Sequence, residues 1–157
     1  MTMAVARILV PTDFSETARA ALETALLIAD KLGSHVDVVY VWEPSTTIPL
    51  ETMMQEVGVG RPRSIGDIAR REAMRRMAQF LSTVSHPSGS LGSRVEVGRP
   101  DELITMLAEQ GGYDLIVMGT HGRRGLLRAM LGSVAERVVR HAPCPVLTIP
   151  ARSSAST

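Results

Sequence analysis

Short apolar runs rich in strand formers alternate along this chain with stretches whose apolar residues recur every three or four positions. That alternation restricts the fold more than any other feature. RILVPTD (7–13), HVDVVYVW (35–42), LGSRVEVG (91–98), YDLIVMG (113–119) and CPVLTIP (144–150) read as strands. Between the first two, Ser15 suits a helix cap and Glu16 the first turn. Ala18, Leu22, Ala25, Ala29 and Leu32 then follow at helical spacing, and Gly33 ends the run. Residues 64–85 form a second helix on Ile65, Ile68, Ala69, Ala73, Met77, Phe80, Leu81 and Val84. Pro100, with Asp101 and Glu102 behind it, opens a third helix that runs to Gln110, and 133–142 is the fourth, stopped by Pro143. The order βαβαβαβαβ predicts an α/β fold, a five-stranded parallel sheet covered by helices on both faces. Right-handed crossovers make it doubly wound and Rossmann-like, with strand order 3-2-1-4-5. Residues 1–150 are expected to form one domain and the tail 151–157 to be disordered. Residues 43–63 carry three prolines and two glycines and read as a long loop with room for one helical turn.

In a doubly wound sheet the ligand crevice lies at the carboxyl ends of the strands, where the winding reverses. With this strand order the first and fourth strands meet there. Both are followed by unusual sequence: PTDFS after the first, and GTHGRRGLLRAMLGS (119–133) after the fourth. Glycine lets a ligand approach the backbone, and a helix N-terminus offers unpaired N–H groups and partial positive charge. Gly119 and Gly122 are therefore candidates to wrap a polyphosphate, with Gly132 and Ser133 donating to it at the start of the fourth helix. A plainer account competes with this one. Ser133-Val-Ala-Glu136 has the form of a capping box, and the glycines would serve as turn residues.

Several function classes drop out. No G-x-x-x-x-G-K-[ST] occurs, and no G-x-G-x-x-G follows the first strand, which removes the usual nucleotide loops. Of the seventeen basic residues only Lys31 is a lysine, and it falls on the last turn of the first helix, so lysine chemistry has almost no candidate. The net charge of +1 gives no reason to expect nucleic acid or an anionic membrane. No apolar run approaches the ~18 residues of a membrane span. The lone Cys144 excludes a disulfide framework within the chain and fits a cytoplasmic setting.

Gly119-x-x-Gly122, nine further residues, then Gly132-Ser133 is the G-2x-G-9x-G-[ST] pattern. Together with ILVPTDFS near the N-terminus and HAPCPVLTIP near the other end, it resembles the ATP-binding branch of the universal stress protein family over nearly the whole chain. The resemblance implies an adenine nucleotide alpha hydrolase-like fold and an adenine nucleotide (ATP, ADP or AMP), with Mg2+ held through the phosphates. It implies that Pro11, Thr12 and Asp13 border the adenosine and that Val41 lies near the base. Met118, Gly119, Gly122, Gly132, Ser133 and Val134 would line the ribose and phosphates. The function implied is nucleotide-dependent regulation of a stress response, with a protein partner that the sequence does not name. Two alternatives stay open: a dimeric interaction module holding nucleotide structurally, and a slow ATPase or self-phosphorylating protein. No catalytic residue and no protein metal ligand is assigned. A homodimer is expected through the last strand, Val146–Pro150, whose apolar core lies at a sheet edge.

The remaining polar residues carry two readings each. Asp13 also suits the turn before the Ser15 helix. Arg123 is a candidate phosphate ligand and, like Arg124 and Arg128, equally an exposed charge. His121 is a candidate for phosphate or metal contact but reads first as a solvated loop histidine. Arg70, Arg71, Arg75 and Arg76 read as a solvated helix face, with Asp67–Arg71 and Glu72–Arg76 as i,i+4 pairs. Met53 and Met54 are expected to pack from the loop onto the core rather than to close over a ligand. Cys144 is expected to be a packing residue.

Overall fold

A computed structural model describes residues 4–55, 58, 60–86, 90–120 and 131–151. Five parallel strands build the main sheet: β1 (Arg7–Thr12), β2 (His35–Trp42), β5 (Leu91–Val97), β6 (Leu115–Gly119) and β7 (Val146–Ile149), in the order β5-β2-β1-β6-β7. Counted along the sheet-forming strands, this is the expected 3-2-1-4-5. Helices α1 (Glu16–Leu32), α2 (Ile65–Leu81), α3 (Pro100–Gln110) and α4 (Ser133–His141) supply the crossovers.

The side-chain alternation of each strand feeds two cores. Ile8 and Val10 of β1, Val36 and Val38 of β2, and Val117 of β6 pack under α1 and α2 with Ala21, Leu22, Ala25, Met77 and Phe80. Leu9, Val39, Val41, Ile116 and Met118 face the other way, toward Ile104, Leu107 and Ala108 of α3 and Ala135 and Val138 of α4. Both faces of the central strands β1 and β6 are buried, which is why they read as apolar runs rather than as alternating ones.

The 43–63 stretch is largely loop, as expected, with no helical turn among its described residues. It contains a two-stranded antiparallel ribbon, β3 (Met53–Met54) against β4 (Arg63–Ser64). The ribbon is tied to α2 by the Ile65 N–H donating to Thr52 O and the Gly66 N–H to Leu50 O. Met53 and Met54 are 60% and 51% exposed, so they do not pack on the core as expected.

β1 is bonded unequally to its two neighbours. It pairs with β2 along its full length, from Arg7↔His35 to Thr12↔Tyr40. With β6 it pairs only at Ile8↔Leu115 and Leu9↔Ile116. Pro11 has no N–H to offer either strand, and the chain turns away soon after it. At the amino end, by contrast, the two strands are tied firmly. The Asp114 carboxylate accepts from the N–H groups of Ala6 (2.8 Å) and Arg7 (2.9 Å), and the Asp114 N–H donates to Arg7 O.

Beside that tie lies a polar cluster. Asp37 Oδ2 accepts from the Tyr113 hydroxyl (2.8 Å) and from Arg7 Nη2 (3.0 Å), while Oδ1 lies 3.2 Å from His35 Nε2. Arg7 also donates to Gly111 O and lies over the Tyr113 ring. Burial alone would raise the Asp37 carboxyl, but the hydrogen bonds from Tyr113 and Arg7 outweigh it and hold it below the usual range. Burial, helped by the hydrogen bond to Asp37, pushes the Tyr113 phenol up to about 12.

Candidate functional site

The carboxyl ends of β1 and β6, no longer paired, leave an open crevice of about 540 Å³, within the usual range for small-molecule sites. One wall is the turn after β1. Its geometry comes from three short-range hydrogen bonds: Thr12 Oγ1 accepts from the Phe14 N–H (3.0 Å), Asp13 Oδ1 from the Ser15 N–H (3.0 Å) and Ser15 Oγ from the Ala18 N–H (3.2 Å). Asp13 thus starts the turn before α1 and lines the crevice as well, so its two readings are compatible.

The opposite wall is built from β6 and the start of α4. The Thr120 N–H donates to Ile149 O, and Thr120 O accepts from the Gly132 N–H at 2.6 Å, which fixes the start of α4 beside the end of β6. The capping box does not form. Gly132 is the N-cap, Ser133 is already helical, and no side chain caps α4. The Glu136 side chain instead takes Arg140, 2.9 Å away. First-turn N–H groups with no side-chain cap among the described residues, next to a cavity, are suited to an anion.

Neither Gly119 nor Gly132 is there for left-handed backbone. Gly132 has φ −62, a value any residue adopts, and Gly119 is not among the glycines with positive φ. A Cβ on Gly119 would lie 2.8 Å from Thr17 Cγ2 and 3.2 Å from Thr17 Cβ. Gly119 therefore lets α1 approach β6, which is a packing requirement at the rim of the site.

Pro11, Thr12, Asp13, Val41, Met118, Gly119, Gly132, Ser133 and Val134 all line this one crevice. Gly122 and Arg123, with His121, Arg124 and Arg128, lie outside the described residues. Sequence reasoning missed Tyr40 and Val39 on β2, Pro100 and Ile104 on α3, and Thr120. The signals were present: Tyr40 precedes Val41 at the same strand end, Pro100 opens the helix that follows β5, and Thr120 sits inside the glycine pattern. Among the described residues Asp13 is the one carboxylate in the lining.

Two surface readings are corrected. Glu72 pairs with Arg75, at 2.7 and 2.8 Å, rather than with Arg76. The Arg76 guanidinium lies over the Phe14 ring, 4.7 Å from its centre. Cys144 is half-buried, and burial together with the nearby Asp114 charge raises its thiol, in keeping with a packing role.

The sequence profile of the universal stress protein family matches residues 5–150. The chain belongs to the universal stress protein family. A universal stress protein of Methanocaldococcus jannaschii is 32% identical over 143 residues, covering 91% of this chain and 81% of the relative. Among solved structures, a universal stress protein family member from Burkholderia pseudomallei is 31% identical with a TM-score of 0.66, covering 96% of this chain and 100% of the other. UspA from Lactobacillus plantarum is 28% identical with a TM-score of 0.67, covering 94% and 99%. Two further universal stress protein structures, at 24% and 23% identity, are complexes with cAMP and, from Archaeoglobus fulgidus, with dAMP; what they share with this chain is the fold. No helix among the described residues of this universal stress protein is long and apolar enough to cross a membrane.

Proposed function

We propose that the crevice binds an adenine nucleotide, ATP or ADP, and that occupancy regulates what this universal stress protein does under stress. The observation that carries the reading is the meeting of the β1 turn and the uncapped start of α4 across one cavity. Val41 and Pro11 offer apolar surface to the base, and Thr12 and Asp13 polar groups to the adenosine. Ser133 and Val134, in the first turn of α4, line the crevice and would offer their N–H groups to phosphate. Gly122 and Arg123 belong to the same proposal by their place in the glycine pattern. Mg2+ would be held chiefly by the phosphates themselves. The half-buried thiol of Cys144 is compatible with a cytoplasmic setting.

ATP has about 31 non-hydrogen atoms, and ligands of this size manage about 0.3 kcal/mol per atom, so affinity should be near micromolar. Titration calorimetry with ATP and magnesium tests this. Saturable binding is expected, and no saturation at millimolar ATP would overturn the proposal. Gly132→Val should abolish binding with the fold retained, because its side chain would fill space at the start of α4. Nucleotide recovered by mass spectrometry from protein purified without added ATP would support the same conclusion.

A further inference from the structure

Phe14 sits between two crevice-lining residues, Asp13 and Ser15, yet does not line the crevice. Its φ is 65, the one positive value at a non-glycine position among the described residues. L residues with a bulky side chain rarely hold that conformation, so something must enforce it. The ring is held on three sides. Tyr40, which lines the crevice, lies 4.6 Å away between ring centres; Phe80 of α2 meets it edge-on at 5.6 Å; and Arg76 of α2 covers its face at 4.7 Å. Neither Arg76 nor Phe80 lines the crevice.

We infer that Phe14 is a positioning residue for the nucleotide site, and that Arg76 of α2, outside the crevice, sets binding strength by clamping it. The inference rests on the reading of the crevice as a nucleotide site. Clamping the ring fixes the left-handed backbone between Asp13 and Ser15. That backbone aims the Asp13 carboxylate and orders the start of α1, so the wall is set before ligand arrives and less ordering has to be done on binding. A cation over an aromatic face at a partly exposed place has a modest strength, and losing it should release the clamp only in part.

The test is titration of the full chain with ATP, paired with thermal melting of each variant. Arg76→Gln should weaken binding by about two- to fivefold. Arg76→Lys keeps a cation over the ring and should bind close to the parent. Arg75→Gln makes the same charge change one residue away, where the partner is Glu72, and should bind as the parent does. Phe14→Gly accepts φ 65 freely but has no ring to clamp. It should lose on the order of tenfold or more in affinity, since the turn is no longer ordered in advance. The inference is overturned if Arg76→Gln and Phe14→Gly melt lower but bind like the parent, which is packing alone. It is also overturned if Arg75→Gln weakens binding as much as Arg76→Gln, which is general charge. A parent that binds no adenine nucleotide removes the reading of the crevice and this inference with it, whereas a binding parent with unaffected variants removes only the inference.

Discussion

Tyr113 holds its proton far into the alkaline range because burial and the Asp37 carboxylate both oppose a phenolate. Its folded value of about 12 lies above that of an unfolded tyrosine, so its contribution to stability is complete below about pH 10 and is lost as pH rises toward 12. Asp37 works in the other direction. Its folded value is depressed, so its contribution is present above the ordinary carboxylate range and is lost as pH falls through the folded value. Tyr113→Phe should cost about 1 kcal/mol in denaturant unfolding at neutral pH and flatten the alkaline limb of the stability profile. An unchanged alkaline limb would show that the hydroxyl does not matter. Nothing local in the sequence announces this cluster: Arg7 and Asp37 are 30 positions apart, and Asp37 and Tyr113 are 76 apart. Gly119 illustrates a different limit. Its place in the glycine pattern is legible, but the reason for it is Thr17, and only the packing of α1 on β6 reveals which way a Cβ would point. Gly119→Val should therefore lower the melting temperature as well as nucleotide affinity, where Gly132→Val should lower affinity alone.

Helices and strands were the easiest elements to read, because their apolar periods are long and their ends carry chemical marks. Ser15 caps α1 through the Ala18 N–H, and Gly33 closes it at φ 70 with its N–H on Ala29 O. Beyond Gly33 and its chain neighbours, no atom lies within 4 Å of where a Cβ on Gly33 would stand, so Gly33→Ala isolates the backbone cost. It should destabilise by about 1 kcal/mol, read as a shift in the denaturant midpoint with unchanged slope. Ser64→Ala removes the acceptor for the Asp67 N–H at the start of α2 and should cost a similar amount, about 1 kcal/mol. The ribbon of β3 and β4 escaped notice because each strand has two residues, too few to show any period. The start of α4 lies where it was expected, and only the competing capping box fails. Ser133 and Glu136 have the spacing of a capping box, but the Gly132 tie to Thr120 O starts the helix one residue earlier in the pattern than a Ser133 cap would.

At the scale of the whole molecule, β7 lies at an edge of the sheet, with Leu147 37% and Val139 of the neighbouring α4 45% exposed. We propose that two copies pair along Val146–Pro150, and light scattering at tens of micromolar should give a dimer mass that Leu147→Asp reduces to that of a monomer. ATP turnover should stay well below ~1 s⁻¹. Among the described residues, the nearby carboxylates are Asp13, which the proposed reading assigns to the adenosine, and Asp114, engaged at the opposite end of β6, so neither is assigned to an attacking water. Hydrolysis at several per second in contaminant-free protein would refute this. The uneven bonding of β1 to β6 has a consequence for how the molecule breathes. The sheet resembles a book bound along the Asp114 end, with β5-β2-β1 as one cover and β6-β7 as the other. A molecule gripping both covers where they part would slow deuterium uptake at the amides of Met118 to Thr120 and of Asp13 to Ser15, while the amides of Ala6 and Arg7, stitched by Asp114, would exchange at the same rate with the crevice full or empty.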